Sequence, residues 1–176
     1  MAARICTLVV LLACAWLIGP SAPVNGQEFK LYASTDGRYK VLFPGAVKTE
    51  VAQVPAGKAQ LPLTIDTVEL LGGTAFMVTF IDPPEDVAKQ PAATRLDKVR
   101  DGNKGDTGKV LEEKDLTIGT EKYAARDVLI EKGDGCIRNR IVIAGNRLYQ
   151  VMITGKKDVV TSPSATRFLD SFEVTK

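Results

Sequence analysis

The stretch that decides the fold is CIRNRIVIAGNRLYQVMITG, Cys136–Gly155. It contains two β-prone runs, Ile137–Ala144 and Arg147–Thr154, separated by Gly145-Asn146. A two-residue loop with glycine first predicts a type II′ turn, whose twist suits an antiparallel hairpin. Alternation puts apolar side chains on both faces of this hairpin, so we expect it to be central and covered on two sides.

Outward from this hairpin, the chain reads as further β-strands joined by tight turns. Six more runs show strand patterns: Arg38–Phe43, Val47–Val54, Leu61–Leu71, Thr74–Asp82, Lys109–Ile118 and Tyr123–Glu131. Pro55–Gln60 is predicted as a loop, and Gly72-Gly73 as the turn of a second hairpin. Hairpin connections imply antiparallel pairing. We therefore predict an α+β fold with one antiparallel sheet of about eight strands.

Two helices are predicted to pack on this sheet. The first lies within Ala88–Lys104, with Pro91 in its first turn, where a missing N–H costs little. The second begins with Ser162 as N-cap and Pro163 at the first helical position. Its apolar stripe at helical spacing predicts burial of four side chains against the sheet: Ala165, Phe168, Leu169 and Phe172.

The N-terminal segment reads as a targeting signal. Ile5–Ile18 is an apolar run too short to span a bilayer comfortably, and Gly19-Pro20-Ser21 interrupts it. We expect a signal peptide of residues 1–26 with release at Gln27; cleavage after Ala22 is the alternative site. Residues 27–176 then form one domain, periplasmic or secreted, without stable membrane insertion.

Lipidation is the alternative to cleavage at Gln27. Leu11-Leu12-Ala13-Cys14 loosely resembles a lipobox, which would make the protein a lipoprotein anchored at Cys14. Against this, the apolar run continues beyond Cys14. If Cys6 and Cys14 leave with the signal, Cys136 remains alone and is expected to be a buried small hydrophobe; a disulfide with a second chain is the alternative.

Composition limits the possible functions. Lys and Arg number 23 against 21 for Asp and Glu, so the chain lacks the basic surplus of a nucleic-acid binder. There is no histidine in the sequence. This removes the usual general base, the commonest metal ligand, and any Ser-His or Cys-His pair. We predict no cofactor.

A resemblance to a known family is carried by three segments: STDGRYKVLFPG at Ser34–Gly45, NRLYQV at Asn146–Val151 and RFLDSF at Arg167–Phe172. They resemble the PsbP-like class of small secreted bacterial domains. These motifs are a turn, strands and a closing helix, so they are structural. The resemblance implies an α/β/α sandwich and a non-catalytic accessory or binding role. It supplies no catalytic residues, and a function in photosynthesis does not transfer with it.

A calcium-loop pattern occurs after the first helix. Oxygen ligands would come from Asp101, Asn103, Asp106 and Glu112. The required glycine at position six is replaced by Asp106, and a strand follows in place of a helix. A polar helix-to-strand turn explains the same residues, and we prefer that interpretation.

Acidic residues also cluster after a buried strand, at Asp82, Glu85 and Asp86. Paired carboxylates can serve general acid and base chemistry or hold a weak cation, whereas helix N-termini favour acids for dipole reasons alone. The sequence thus favours an exported, non-catalytic accessory or binding protein whose partner is an unknown exported protein or small ligand. A small carboxylate- or metal-dependent hydrolase is the alternative.

Arginines on the deciding hairpin form the remaining candidate surface. Arg138, Arg140 and Arg147 share one face by alternation. Counting back through the preceding turn puts Asp127 opposite Arg140, so this arginine is expected to be paired. Arg138 and Arg147 are then left as the candidate residues for binding an anion or a partner.

Overall fold

A computed structural model of the protein describes residues 28–56 and 59–176, so the predicted signal peptide and Cys14 lie outside the described residues. The described part of the chain forms ten strands and four helical segments. In order these are β1 (Lys30–Ser34), β2 (Tyr39–Phe43), β3 (Lys48–Ala56), β4 (Ala59–Leu70), β5 (Thr74–Ile81), α1 (Glu85–Ala88), α2 (Ala92–Lys104), β6 (Lys109–Ile118), β7 (Tyr123–Lys132), β8 (Gly135–Ala144), β9 (Arg147–Gly155), α3 (Lys157–Val160), α4 (Pro163–Asp170) and β10 (Glu173–Val174). None of these helices is long and apolar enough to cross a membrane.

The strands form two antiparallel sheets. Seven strands lie in the order β3-β4-β5-β9-β8-β7-β6, and three form a smaller sheet in the order β1-β2-β10. The α+β class with a large antiparallel sheet is confirmed, whereas the expectation of one sheet of about eight strands is corrected. The reason lies in the short elements: β1 is a full hairpin partner of β2, and β10 has only two residues. Neither gives a strand pattern long enough to assign from sequence.

The β8–β9 hairpin is central, as expected. Gly145 has a φ of 61°, which a type II′ turn requires at its first position. Ile141 faces Gln150, and β9 pairs on its other side with β5. The preceding turn also gives the predicted register, because Asp127 faces Arg140.

Each face of the large sheet is packed differently. On one face α2 packs on β7 and β8, where Leu96 contacts a small core that includes Ile130 and Ile141. Pro91 precedes α2 as its N-cap residue, so its predicted place within the first turn is wrong. The opposite face carries the main core, together with the three-stranded sheet, α3 and α4.

The C-terminal helix closes the main core as predicted. The Ser162 hydroxyl accepts a hydrogen bond from the Ala165 N–H, and Pro163 occupies the first turn. The four predicted stripe residues are buried: Ala165, Phe168, Leu169 and Phe172. Cys136 is also buried in this core as a free thiol.

A buried carboxylate connects the two sheets. Asp66 on β4 is fully buried and accepts hydrogen bonds from three hydroxyls. Tyr39 donates to one oxygen at 2.5 Å, while Tyr32 at 3.1 Å and Thr49 at 2.5 Å donate to the other. Burial, followed by the bond to Asp66, raises the pKa of Tyr39 well above its ordinary value, so this phenol stays a neutral donor.

Candidate binding surfaces

The predicted arginine face is largely used in holding the fold together. Arg140 donates to both oxygens of Asp127, at 2.7 and 2.8 Å. It also donates to the Leu169 carbonyl and to Asp170, at 2.9 and 3.0 Å. Burial opposes its charge, but the bonds to Asp127 and Asp170 raise the pKa of Arg140 overall. The predicted pairing with Asp127 is confirmed, and Arg140 fastens α4 to the sheet.

Arg147 is not free. Its guanidinium donates to both oxygens of Asp82, at 2.8 and 2.5 Å, and to the Asp36 carbonyl at 2.5 Å. It also lies 4.9 Å from the centre of the Phe80 ring, a cation–π contact. The bond from Arg147 lowers the pKa of Asp82. These contacts tie the β1–β2 turn to the end of β5.

Arg138 also contacts the helical layer. It donates to the Thr166 hydroxyl at 3.1 Å and lies 3.5 Å from the Val160 carbonyl. No carboxylate in the described ranges lies within salt-bridge distance of it. Ala144, the residue paired with Arg147, lies six positions along β8 from Arg138, which places the two arginines roughly 20 Å apart. The structure therefore does not bring Arg138 and Arg147 together as one site.

The four candidate calcium ligands do not form one site. Asp101 accepts a bond from Arg100 at 2.9 Å, and the Asn103 amide donates to Gln150 at 2.8 Å. Asp106 and Glu112 are exposed on a turn and on β6. Within residues 28–56 and 59–176, no group of three or more acidic or cysteine side chains is arranged to hold a metal ion.

The acidic cluster after β5 does not converge either. Asp82 is bound to Arg147, and Glu85 forms an exposed salt bridge with Lys89 at 2.7 Å. Asp86 is exposed in the first turn of α1. A pair of carboxylates suited to acid and base chemistry needs a shared pocket, and none of these three residues lines the four best-formed pockets of the described residues.

A projecting hairpin arm is the first surface that sequence reasoning missed. β3 and β4 pair from Lys48–Thr67 out to Ala56–Ala59, but β5 pairs with β4 only from Thr64 onward. We call the part beyond β5 the arm: residues 51–56 and 59–63. Neither of its strands carries a charged side chain, and Lys58 is the one charged residue between Glu50 and Asp66.

One face of the arm is wholly apolar. Strand pairing puts Ala52 beside Leu63 and Val54 beside Leu61, on the same face as Ile65. This face continues into β5 at Ile81. We call these six half-buried residues the apolar strip: Ala52, Val54, Leu61, Leu63, Ile65 and Ile81. The opposite face of the arm is mixed, with exposed Gln53 and Gln60 and a Val51 that is 60% exposed.

Two prolines protect the edges of the arm. Pro62 pairs with Gln53, and Pro55 pairs with Gln60, two positions further along the ladder. A proline has no N–H, so it fits an antiparallel pair only where its nitrogen points away from the partner strand. Each outer edge of the arm therefore lacks one backbone donor, which hinders pairing with another strand.

A groove is the second feature that was not predicted. It lies between the tip of the β4–β5 hairpin and the start of α3 and α4, with a volume of about 870 Å³. Its apolar lining comes from Leu70, Leu71, Phe76 and Val159, and its polar lining from Glu69, Thr74, Asp158, Ser162 and Ser164. Loss of charge in residues 51–63 could have indicated the arm from sequence. No local pattern indicates the groove, because its walls are far apart in the chain.

Comparison with known proteins identifies the fold. No protein-family model and no curated protein matches the chain. The solution structure of cyanobacterial PsbP from Synechocystis sp. PCC 6803 aligns with 89% of this chain and 98% of that chain, at 12% identity and a TM-score of 0.56. A protein of unknown function from Pseudomonas aeruginosa aligns with 78% of this chain and 90% of its own, at 13% identity. Its TM-score of 0.39 is too low to indicate a shared fold. The first match confirms the structural resemblance seen in the sequence: this chain has a PsbP-like fold.

Proposed function

We propose that the protein is an exported, non-catalytic accessory protein that docks on another exported protein through the apolar strip. The observation that carries this proposal is the uncharged arm, whose apolar face continues onto the large sheet at Ile65 and Ile81, where Glu50 borders it beside Ile65. The predicted signal peptide at residues 1–26 supports export to the periplasm or beyond the cell.

The physical argument concerns how the arm stays folded. An isolated two-stranded hairpin is marginally stable in water, and an uncharged one gains nothing from cross-strand ion pairs. Contiguous apolar surface that stays partly exposed on a monomer commonly marks a contact site for another molecule. A partner that covered Val54 and Leu61 would remove this surface from water and stabilise the arm.

The prolines favour docking through a face over addition of a strand. Pro55 and Pro62 each remove one backbone donor from their own edge, so main-chain pairing along the arm would be incomplete. A face needs only shape and apolar character, which the strip supplies. The salt bridges of Asp82 and Glu85 favour this binding role over a carboxylate-dependent hydrolase.

Photo-crosslinking in the native host tests the proposal. A photoreactive phenylalanine at Val54 should give one discrete cross-linked protein. The matched control is the same group at Gln53, which lies on the opposite face of the same strand. Equal cross-linking from both positions, or none from Val54, would contradict docking through the strip.

A substitution pair supplies a second readout. Leu61→Glu puts a charge into the strip, and Gln60→Glu puts the same charge on the other face. Leu61→Glu should abolish the Val54 cross-link while Gln60→Glu leaves it intact. Thermal melting of both variants separates lost docking from lost folding.

A further inference from the structure

We propose that the groove beside α3 and α4 is a second binding site, and that its ligand is a basic peptide segment carrying a lysine or arginine next to an apolar side chain. This inference goes beyond the proposed docking function, because the groove lies on the main-core face and the strip lies on the opposite face of the large sheet.

The floor of the groove suits an apolar side chain. Phe76 is 2% exposed, and its ring packs edge-on against Phe168 at a centroid distance of 5.3 Å. This anchors the floor rigidly in the main core. Leu70 and Val159 are half-buried on either side of it. A side chain entering here would exchange water for contact with Leu70 and Val159, above the buried ring of Phe76.

The negative charge in the lining of the groove favours a cationic ligand. Glu69 faces Ala75 across the ladder, whereas Leu70 and Thr74 share the face that the groove occupies. Alternation therefore directs the Glu69 carboxylate to the opposite face of the sheet. Asp158 is left as the charged side chain of the lining, and it forms no salt bridge within the described ranges.

No lysine or arginine is among the residues described as lining the groove. The remaining polar groups are hydroxyls, of which Ser162 already accepts the Ala165 N–H. A cationic group at Asp158 would complement this charge. Ammonium and guanidinium groups are the side-chain cations of peptides at neutral pH.

Leu71 is an independent indication of an occupant. It is 102% exposed at the tip of the β4–β5 hairpin, beside the groove. Gly72 and Gly73 follow it with φ values of 86° and 78°, which give the tip a tight turn. A fully exposed leucine contributes nothing to folding. Over a bound peptide it would bury apolar surface against the ligand.

The test is a chemical-shift titration of the purified protein with three capped tripeptides. The probes are acetyl-Leu-Lys-Leu-amide and its counterparts with Gln or Glu in the middle. We expect the amide signals of Thr74, Val159 and Ser164 to shift. The lysine probe should bind about three- to fivefold more tightly than the glutamine probe, as befits a partly exposed ion pair, and the glutamate probe most weakly.

Variants locate the effect. Asp158→Asn should remove the preference for lysine over glutamine, whereas Asp106→Asn, an exposed acid on the turn after α2, should leave it unchanged. Leu71→Ser should weaken all three probes alike without altering the melting temperature. Because Leu71 makes no buried contact, this variant stays informative even if Asp158→Asn disturbs α3.

The outcomes separate the parts of the inference. Equal binding of the lysine and glutamine probes at the groove would overturn the basic ligand class but leave a binding groove. Absence of shifts at Thr74, Val159 and Ser164 with every probe would overturn the groove as a peptide site. Neither result touches the docking proposal, which depends on cross-linking at Val54.

Discussion

Replacing Asp66 by asparagine tests whether the buried carboxylate joins the two sheets. Asp66→Asn keeps the size of the side chain but turns one of two acceptor oxygens into a donor. If the new amide replaces the oxygen bound by Tyr39, that hydroxyl loses its acceptor; if it replaces the other oxygen, Tyr32 and Thr49 both lose theirs. A hydrogen bond to a charged group contributes about 1.5–3 kcal/mol and a neutral one about 0.5–1.5 kcal/mol. One lost bond and weakening of the others should lower the free energy of unfolding by about 2–4 kcal/mol.

Urea denaturation followed by far-UV circular dichroism measures this change. Tyr39→Phe removes one donor, and combining it with Asp66→Asn completes a double-mutant cycle. We expect a coupling energy of about 1–3 kcal/mol, since the two groups are in direct contact. A loss under about 0.5 kcal/mol for Asp66→Asn, or no coupling with Tyr39→Phe, would refute the connection between the sheets through this carboxylate.

Three further predictions concern the closing helix, the Asp82 ion pair and the N-terminus. Phe172→Ala should cost about 3–5 kcal/mol in urea denaturation, because the ring is buried in the main core; unchanged melting would contradict this. Arg147 lowers the pKa of Asp82 below 3.8. The Asp82–Arg147 ion pair therefore contributes fully to the free energy of unfolding above that pH, and this contribution is lost as the pH falls through the pKa of Asp82 in the folded protein. Asp82→Asn should therefore slightly lower the melting temperature at pH 6 and reduce the acid sensitivity below about pH 4; an unchanged acid profile would refute this. Mass spectrometry of exported protein should give an N-terminus at Gln27, and a lipid adduct on Cys14 would contradict a soluble product.

The central sheet could be predicted because its signals are local. Gly145-Asn146 sets the register of β8 and β9, and one further turn places Asp127 opposite Arg140. Once a turn closes, the period of two along each strand determines every later pair. The C-terminal helix was predictable for the same reason: its cap and its apolar stripe lie within one short segment.

The small sheet and the candidate surfaces depend on contacts between distant residues. β10 reaches β2 from the other end of the chain, and Glu173 pairs with Lys40. No local pattern connects Arg147 with its acceptor Asp82, because the two residues are remote in sequence. The groove brings Phe76 near Val159 in a similar way. Tertiary packing decides such contacts, and one sequence does not encode them in any local pattern.

The order of strands in the large sheet has a kinetic consequence. β3-β4-β5 and β6-β7-β8-β9 are two meanders of sequential neighbours, and they meet only where β5 pairs with β9. Met77 faces Met152 across this junction, about 75 residues away along the chain, and closing so long a loop costs more entropy than closing a hairpin. Each meander can form quickly, because its contacts are between residues close in sequence. The junction forms only after diffusion brings β5 and β9 together. We therefore expect the β5–β9 ladder to form last, so that amide exchange in refolding pulses should protect Ile141 before Met77, whose N–H faces β9.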